Sequence, residues 1–202
     1  MKKCLIYIYL LLLTSLCCLQ AGAVSSEIRS LSVSDGLPDL VINTIYKDSK
    51  GYVWMGTNTS VERFDGIRLE HYMVEGSNEN LKRVFALVEM PGNELWVGTG
   101  MGLFRLADDA EKLERLAPEM ITSGVHAFCK LGDVLYVGTE KGLYVYKGGV
   151  FEHVLVDKNI FSRANFVTGM VEGENGILWL STMGGLKSLR LSDQSITSFS
   201  DK

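Results

Sequence analysis

The sequence predicts an all-β fold: an incomplete β-propeller of four-stranded antiparallel blades, four in number and forming an open arc. The first observation is a repeat. Trp54-Met55-Gly56-Thr57 returns as Trp96-Val97-Gly98-Thr99, Tyr136-Val137-Gly138-Thr139 and Trp179-Leu180-Ser181-Thr182, with the aromatic positions 42, 40 and 43 residues apart. Self-similarity near that period marks a propeller or a solenoid. The second is local pattern: short apolar runs are ended by turn residues, and nothing carries the 3.6-residue period of a helix. The third is the count of strands, four to a unit, which suits radially packed blades.

The strands follow in order. Strand a opens on a β-branched residue, Ile42, Val84, Val125 or Val167, with Ile45, Leu87, Phe128 or Met170 three places on. These runs are expected to be buried. The a–b turns, Asp48–Gly51, Met90–Asn93, Leu131–Asp133 and Gly173–Gly176, all hold Gly, Asn or Asp where a hairpin needs positive φ. Strand b is the repeat itself. Its rings are expected to fill the wedge between blades, and the small residue after the centre (Gly56, Gly98, Gly138, Ser181) lets a neighbour approach closely. Strand c starts at Val61, Leu103, Leu143 and Leu186, after a short b–c turn. Those turns are rich in glycine, but a strand follows them where a phosphate cradle needs a helix. The outer strand d spans Ile67–Tyr72, Leu113–Leu116, Val150–Val156 and Ile196–Phe199, with charges that suit an edge. The blades thus fall at about 41–74, 83–116, 124–156 and 166–200, within a partial propeller over 24–202.

Residues 1–23 read as a secretory signal peptide: Met1-Lys2-Lys3, an apolar run from Leu5 to Leu13, then Ala21-Gly22-Ala23. The alternative, an uncleaved anchor, would want roughly 20 apolar residues. Three of the four cysteines lie in this leader, so the mature chain keeps Cys129 alone and forms no internal disulfide. Cys129 sits in an apolar run and is expected to be buried and inert. Without the leader the formal charge is −6, which argues against a nucleic-acid groove. No membrane span is expected in the mature chain.

Asp35-Gly36-Leu37-Pro38, then Asp48-Ser49-Lys50-Gly51-Tyr52-Val53-Trp54-Met55-Gly56-Thr57, then Arg63-Phe64-Asp65-Gly66, resembles the two-component regulator propeller repeat. The likeness extends over about residues 28–200. Tyr136 for Trp, Ser181 and Ser60 for Gly, and an Asp-x-x-Gly turn in the first unit alone depart from it. Such repeats build the periplasmic sensor region of hybrid two-component sensor histidine kinases in Gram-negative bacteria. The resemblance therefore implies a larger protein with paired propellers, an immunoglobulin-like sandwich, a membrane helix and a kinase. On that basis the chain is expected to be an amino-terminal fragment lacking the kinase and membrane parts. Residues 27–33 look like an orphan outer strand, and the terminal blades should each leave an apolar face bare.

The function implied by the resemblance is ligand sensing, with an oligosaccharide as ligand and the remaining blades of the sensor as partner. The alternative is a periplasmic protein-interaction scaffold. Asn58, Met101, Lys141 and Met183, in the b–c turns, are the candidate ligand-lining residues. No metal, cofactor or catalytic group is expected. The acids fall at non-equivalent positions, and no zinc or serine-hydrolase motif occurs.

Overall fold

Four antiparallel sheets of four strands follow one another along the chain in the computed structural model, which describes residues 30–74 and 81–199. The first holds β1 (Thr44–Lys47), β2 (Val53–Gly56), β3 (Val61–Phe64) and β4 (Leu69–Tyr72). The second holds β5 (Val84–Met90), β6 (Glu94–Thr99), β7 (Gly102–Leu106) and β8 (Glu114–Arg115). The third runs through β9 (Val125–Leu131), β10 (Val134–Thr139), β11 (Gly142–Lys147) and β12 (Val150–Val154). The fourth is β13 (Val167–Glu172), β14 (Ile177–Thr182), β15 (Gly185–Arg190) and β16 (Ile196–Phe199). In every sheet the strands pair in chain order, as in a meander. The inner strands pack in the series β1, β5, β9, β13. The expected signal peptide, 1–23, lies outside the described residues.

The hydrophobic core lies between blades. One cluster joins Trp54, Val61 and Tyr72 of the first blade to Val84, Leu87 and Val97 of the second. A second joins Trp96 and Leu103 to Val125, Leu135 and Tyr144, and a third joins Leu143 to Val167, Leu178 and Leu180. Along strand b the side chains alternate. Trp96 faces the third blade, where Tyr146 and Phe151 meet its ring at 4.8 and 5.8 Å. Leu95 and Val97 face back to the first.

The small residue of the repeat is where one blade seats on the next. A Cβ on Gly56 would lie 2.5 Å from Cγ1 of Val84. On Gly98 it would meet Val125 Cγ1 at 2.8 Å, and on Gly138 Val167 Cγ1 at 2.8 Å. Each glycine thus receives the opening valine of the following inner strand. Ser181 has no such neighbour and is exposed.

The cross-strand partner of that position records the same change. Val61, Leu103 and Leu143 are each 0% exposed, while Leu186, paired with Ser181, is 44% exposed. Val171 and Phe199 on this blade are exposed as well. The arc is open on the fourth blade.

The first blade departs from expectation. Ile42 and Ile45 were expected inside, but both are exposed, Ile45 at 69%. Among the described residues no other blade packs ahead of strand a of that blade. Its face is not bare throughout, because Met55 and Glu62, in register with Ile45, are buried. The outer strand expected at 27–33 is absent over its described part. Instead Asp35 folds back on Ser32, accepting its backbone N–H at 2.9 Å and its hydroxyl at 2.8 Å, and a 3-10 turn forms over Val33–Asp35. The second blade's outer strand shrinks to Glu114–Arg115, since Leu113 leaves it to bond Met73 and bridge Val74 of the first blade.

Two predictions follow from the seating geometry. Gly98→Ser should destabilise the chain by about 1–3 kcal/mol through overpacking against Val125, whereas Ser181→Gly should change stability by under about 1 kcal/mol. Urea unfolding of both variants reads the difference, and equal effects would contradict the geometry. Likewise Trp96→Ala should cost about 3–5 kcal/mol. Trp179, half-buried with Phe199 beside it at 5.2 Å, should cost clearly less on the same truncation.

Candidate functional site

The b–c turns are held by one side chain repeated four times. The threonine closing strand b donates its hydroxyl to the carbonyl at the start of strand c: Thr57 to Ser60, Thr99 to Gly102, Thr139 to Gly142, Thr182 to Gly185, at 2.7–3.1 Å. The same oxygen accepts the N–H two residues on, at 3.0–3.1 Å. A local side-chain bond of this kind fixes a turn that strand propensity alone would not.

At this end of the blades the inner strands carry a β-bulge. The register slips between Val84 and Ala86, between Gly138 and Thr139 opposite Val125 and Ala127, and between Val167 and Gly169. The extra residues are Phe85, His126 and Thr168. Asn43 stands at the corresponding place in the first blade, its N–H bonded to Gly56 O at 2.8 Å. Bulges re-aim side chains and gather beside functional sites. Here the opening valine stays in the core and the next residue turns out of it.

The result is a row of rings across three blades. His126 lies 4.1 Å from Phe85 and 4.7 Å from Phe166, centroid to centroid. All three are half-buried. Nε2 of His126 is 3.2 Å from Oε1 of Glu140, in the third b–c turn. At the other end the Arg83 guanidinium lies 5.8 Å from the Phe85 ring. Asn58 Oδ1 accepts from Asn43 Nδ2 at 3.2 Å and from Arg83 Nε at 3.4 Å. Asp39 adjoins this group, its carboxyl held below the usual range by the Val41 N–H and then by Asn58.

The residues expected from the sequence divide. Asn58 enters this network, and Met183 reaches it through its N–H on Phe166 O at 3.0 Å. Met101 packs into the core between the first two blades. Lys141 turns its amine to Thr122 Oγ1 at 3.3 Å, and its carbonyl is 2.8 Å from His153 Nε2. Sequence reasoning passed over Phe85, His126, Phe166 and Arg83. A usable signal existed: each bulge residue directly follows the β-branched residue that opens strand a. Among the described residues no group of three or more His, Cys, Asp or Glu is placed to hold a metal ion.

The fold is that of β-propeller blades, open at the fourth. More narrowly, residues 36–59 match the family model "Two component regulator propeller". The chain is similar to the extracellular domain of the hybrid two component system BT3049 from B. thetaiotaomicron, with 22% identity, TM-score 0.72, and coverage of 85% of this chain and 26% of that one. It is similar also to the corresponding domain of BT4673 from the same organism, with 22% identity, TM-score 0.66, and coverage of 78% and 21%. A streptogramin B lyase matches at 15% identity and TM-score 0.59, covering 80% of this chain and 55% of that one. These likenesses share a fold across sensors and enzymes. The chain spans about a quarter of the length of the two sensor domains. No curated protein matches it. No helix among the described residues is long and apolar enough to cross a membrane.

A concavity between the first two blades, at their a–b end, is lined by Lys50, Tyr52, Arg63, Glu70, Tyr72 and Asp108 among others. Its basic side chains are already paired, Lys50 with Asp108 and Arg63 with Glu70. Arg63 also lies over the rings of Tyr52, Trp54 and Tyr72 at 4.6–5.7 Å, so this group reads as a clamp between blades. Burial, and then the bond its hydroxyl donates to Glu70 at 2.9 Å, pushes the Tyr72 pKa up from 10.0 to about 12. The folded chain therefore keeps a proton that the unfolded chain loses. That contribution to stability is whole below about pH 10 and fades as the pH rises towards 12. Tyr72→Phe should flatten the fall in the urea midpoint across that window, and an unchanged slope would refute the assignment.

Proposed function

We propose that the chain is part of the ligand-sensing propeller of a periplasmic hybrid two-component sensor, and that its b–c face binds an oligosaccharide. The observation that carries the binding reading is the ring row Phe85–His126–Phe166, the first two rings presented by bulges and the third standing just ahead of Val167, flanked by the amides of Asn43 and Asn58. Flat rings offer apolar area to the C–H face of a sugar, and nearby polar groups fix its orientation. Binding suits the site better than hydrolysis. Among the described residues Glu140 is the one carboxylate bonded to the row, and glycoside hydrolysis ordinarily uses a pair.

The larger assembly is supported by the bare fourth blade, with Val171, Leu186 and Phe199 exposed where earlier blades are covered. Further blades of the same sensor are the partner that would cover it. The matched regulator repeat and the likeness to extracellular sensor domains support the signalling role. The signal peptide expected at 1–23 would deliver the chain to the periplasm. A sensor of this kind works by binding its ligand more tightly in one of two arrangements.

Calorimetric titration of the chain with a panel of plant and host-derived oligosaccharides tests the site. At least one should bind, and Phe85→Ala should weaken it about tenfold through lost stacking. Lys50→Ala, at the far end of the blades, should leave binding unchanged. Binding that survives Phe85→Ala and Phe166→Ala, or none to any member of the panel, would dismiss the reading.

A further inference from the structure

We infer that Arg83 makes this face selective for acidic saccharides, holding the negatively charged substituent of a sugar whose ring lies on Phe85. The inference rests on the oligosaccharide reading and adds a specificity-determining residue to it.

Lys82 and Arg83 are consecutive non-glycine residues at positive φ, 49° and 73°. Such backbone is strained for a residue with a side chain and persists only where the surroundings enforce it. Here they do. Arg83 N–H bonds Asn58 O at 2.8 Å, and Arg83 O accepts Gly100 N–H at 3.0 Å. Lys82 O presses on Gly100 so closely that a Cβ there would lie 2.2 Å away. The strain sets Arg83 at the mouth of the site, one residue from the buried Val84 and two from Phe85.

Among the described residues no carboxylate pairs with the Arg83 guanidinium. Its recorded contacts are Asn58 Oδ1, at 3.4 Å, and the Phe85 ring. Elsewhere Arg63 holds Glu70, Arg105 holds Glu114, and Lys50 holds Asp108. The carboxylate nearest in the network, Asp39, accepts the Val41 N–H at 2.9 Å and forms no ion pair with Arg83 among the described residues. Both Lys82 and Arg83 are exposed. A guanidinium over the edge of a stacking ring offers paired N–H donors to a carboxylate or a sulfate. Either substituent presents the same chemistry, so the experiment separates them.

The test titrates the chain with trigalacturonate, its methyl-ester form, and a sulfated disaccharide. The acidic ligand that binds should do so at least about tenfold more tightly than a neutral counterpart, and should weaken with added salt. Binding by trigalacturonate alone identifies a carboxylate; binding by the sulfated sugar alone identifies a sulfate. Arg83→Gln should remove the preference, and Arg83→Lys should keep part of it. Arg83→Gly separates this role from a structural one, because glycine accepts the same φ without strain. That variant should hold its thermal midpoint and lose acidic-sugar binding. Arg83→Gln binding as the parent does, or equal affinity for neutral and acidic forms, would overturn the inference. If neutral sugars bind and depend on Phe85 but not on Arg83, the face reading stands without it. If none of the panel binds, both fail.

Discussion

The distance at which one inner strand can approach the blade before it governs this structure. Val84, Val125 and Val167 each sit over a residue with no side chain, at separations that a Cβ would make impossible. Once the valine is seated, the faces on either side close and bury Val61, Leu103 and Leu143 completely. The rings of strand b then have neighbours, as Trp96 has Tyr146 and Phe151. Close packing of this sort is sensitive to a single added methylene, which is why so small a residue recurs at so fixed a place.

The same seating creates the surface that could recognise a ligand. A strand that pins its first side chain inward and then adds a bulge must turn the next side chain elsewhere. Phe85, His126 and Thr168 are the three outcomes, one from each of the last three blades. They come from one geometric device but share no chemistry: a phenyl ring, an imidazole and a hydroxyl. A scaffold that repeats its backbone while varying these positions can change what it binds without disturbing what holds it together.

Much of this is legible in the sequence because backbone constraints repeat. The spacing of Trp54, Trp96, Tyr136 and Trp179 gives the blades, and the turn glycines and asparagines sit at positive φ where a hairpin wants them, as Gly92, Asn93 and Gly132 do. The close approach at Gly98 follows from its lack of a side chain. What pattern could not supply were effects of neighbours distant in the chain. Ile45 has the look of a core residue and is exposed, with no blade packed over it among the described residues. Leu113 looks like an outer-strand residue but bonds Met73 of another blade. The ring row was hidden for a different reason. Phe85 and His126 differ in kind, so a search for recurring chemistry passes over a position that recurs only in geometry. The Thr99 hydroxyl ties the turn beside it, a role that strand pattern does not mark.

Ser181 joins these threads. It replaces the glycine of the seat, and its hydroxyl lies 3.0 Å from Thr168 Oγ1, the bulge residue of the same blade. In the other blades the equivalent place is filled from outside by a valine. In the fourth it is occupied from within, by a polar contact between strand b and the bulge. A valine could not settle there as it does on Gly98, for the serine Cβ takes up the space the methyl would need. An inner strand brought against Leu186 and Phe199 would therefore have to approach at a different distance or angle from the three that seat on glycine. The row of rings takes its fourth-blade member from Phe166, ahead of the bulge, and Thr168, engaged with Ser181, adds no ring to it. Two positions of the repeat, the seat and the bulge, thus change together in this blade and are joined by one hydrogen bond.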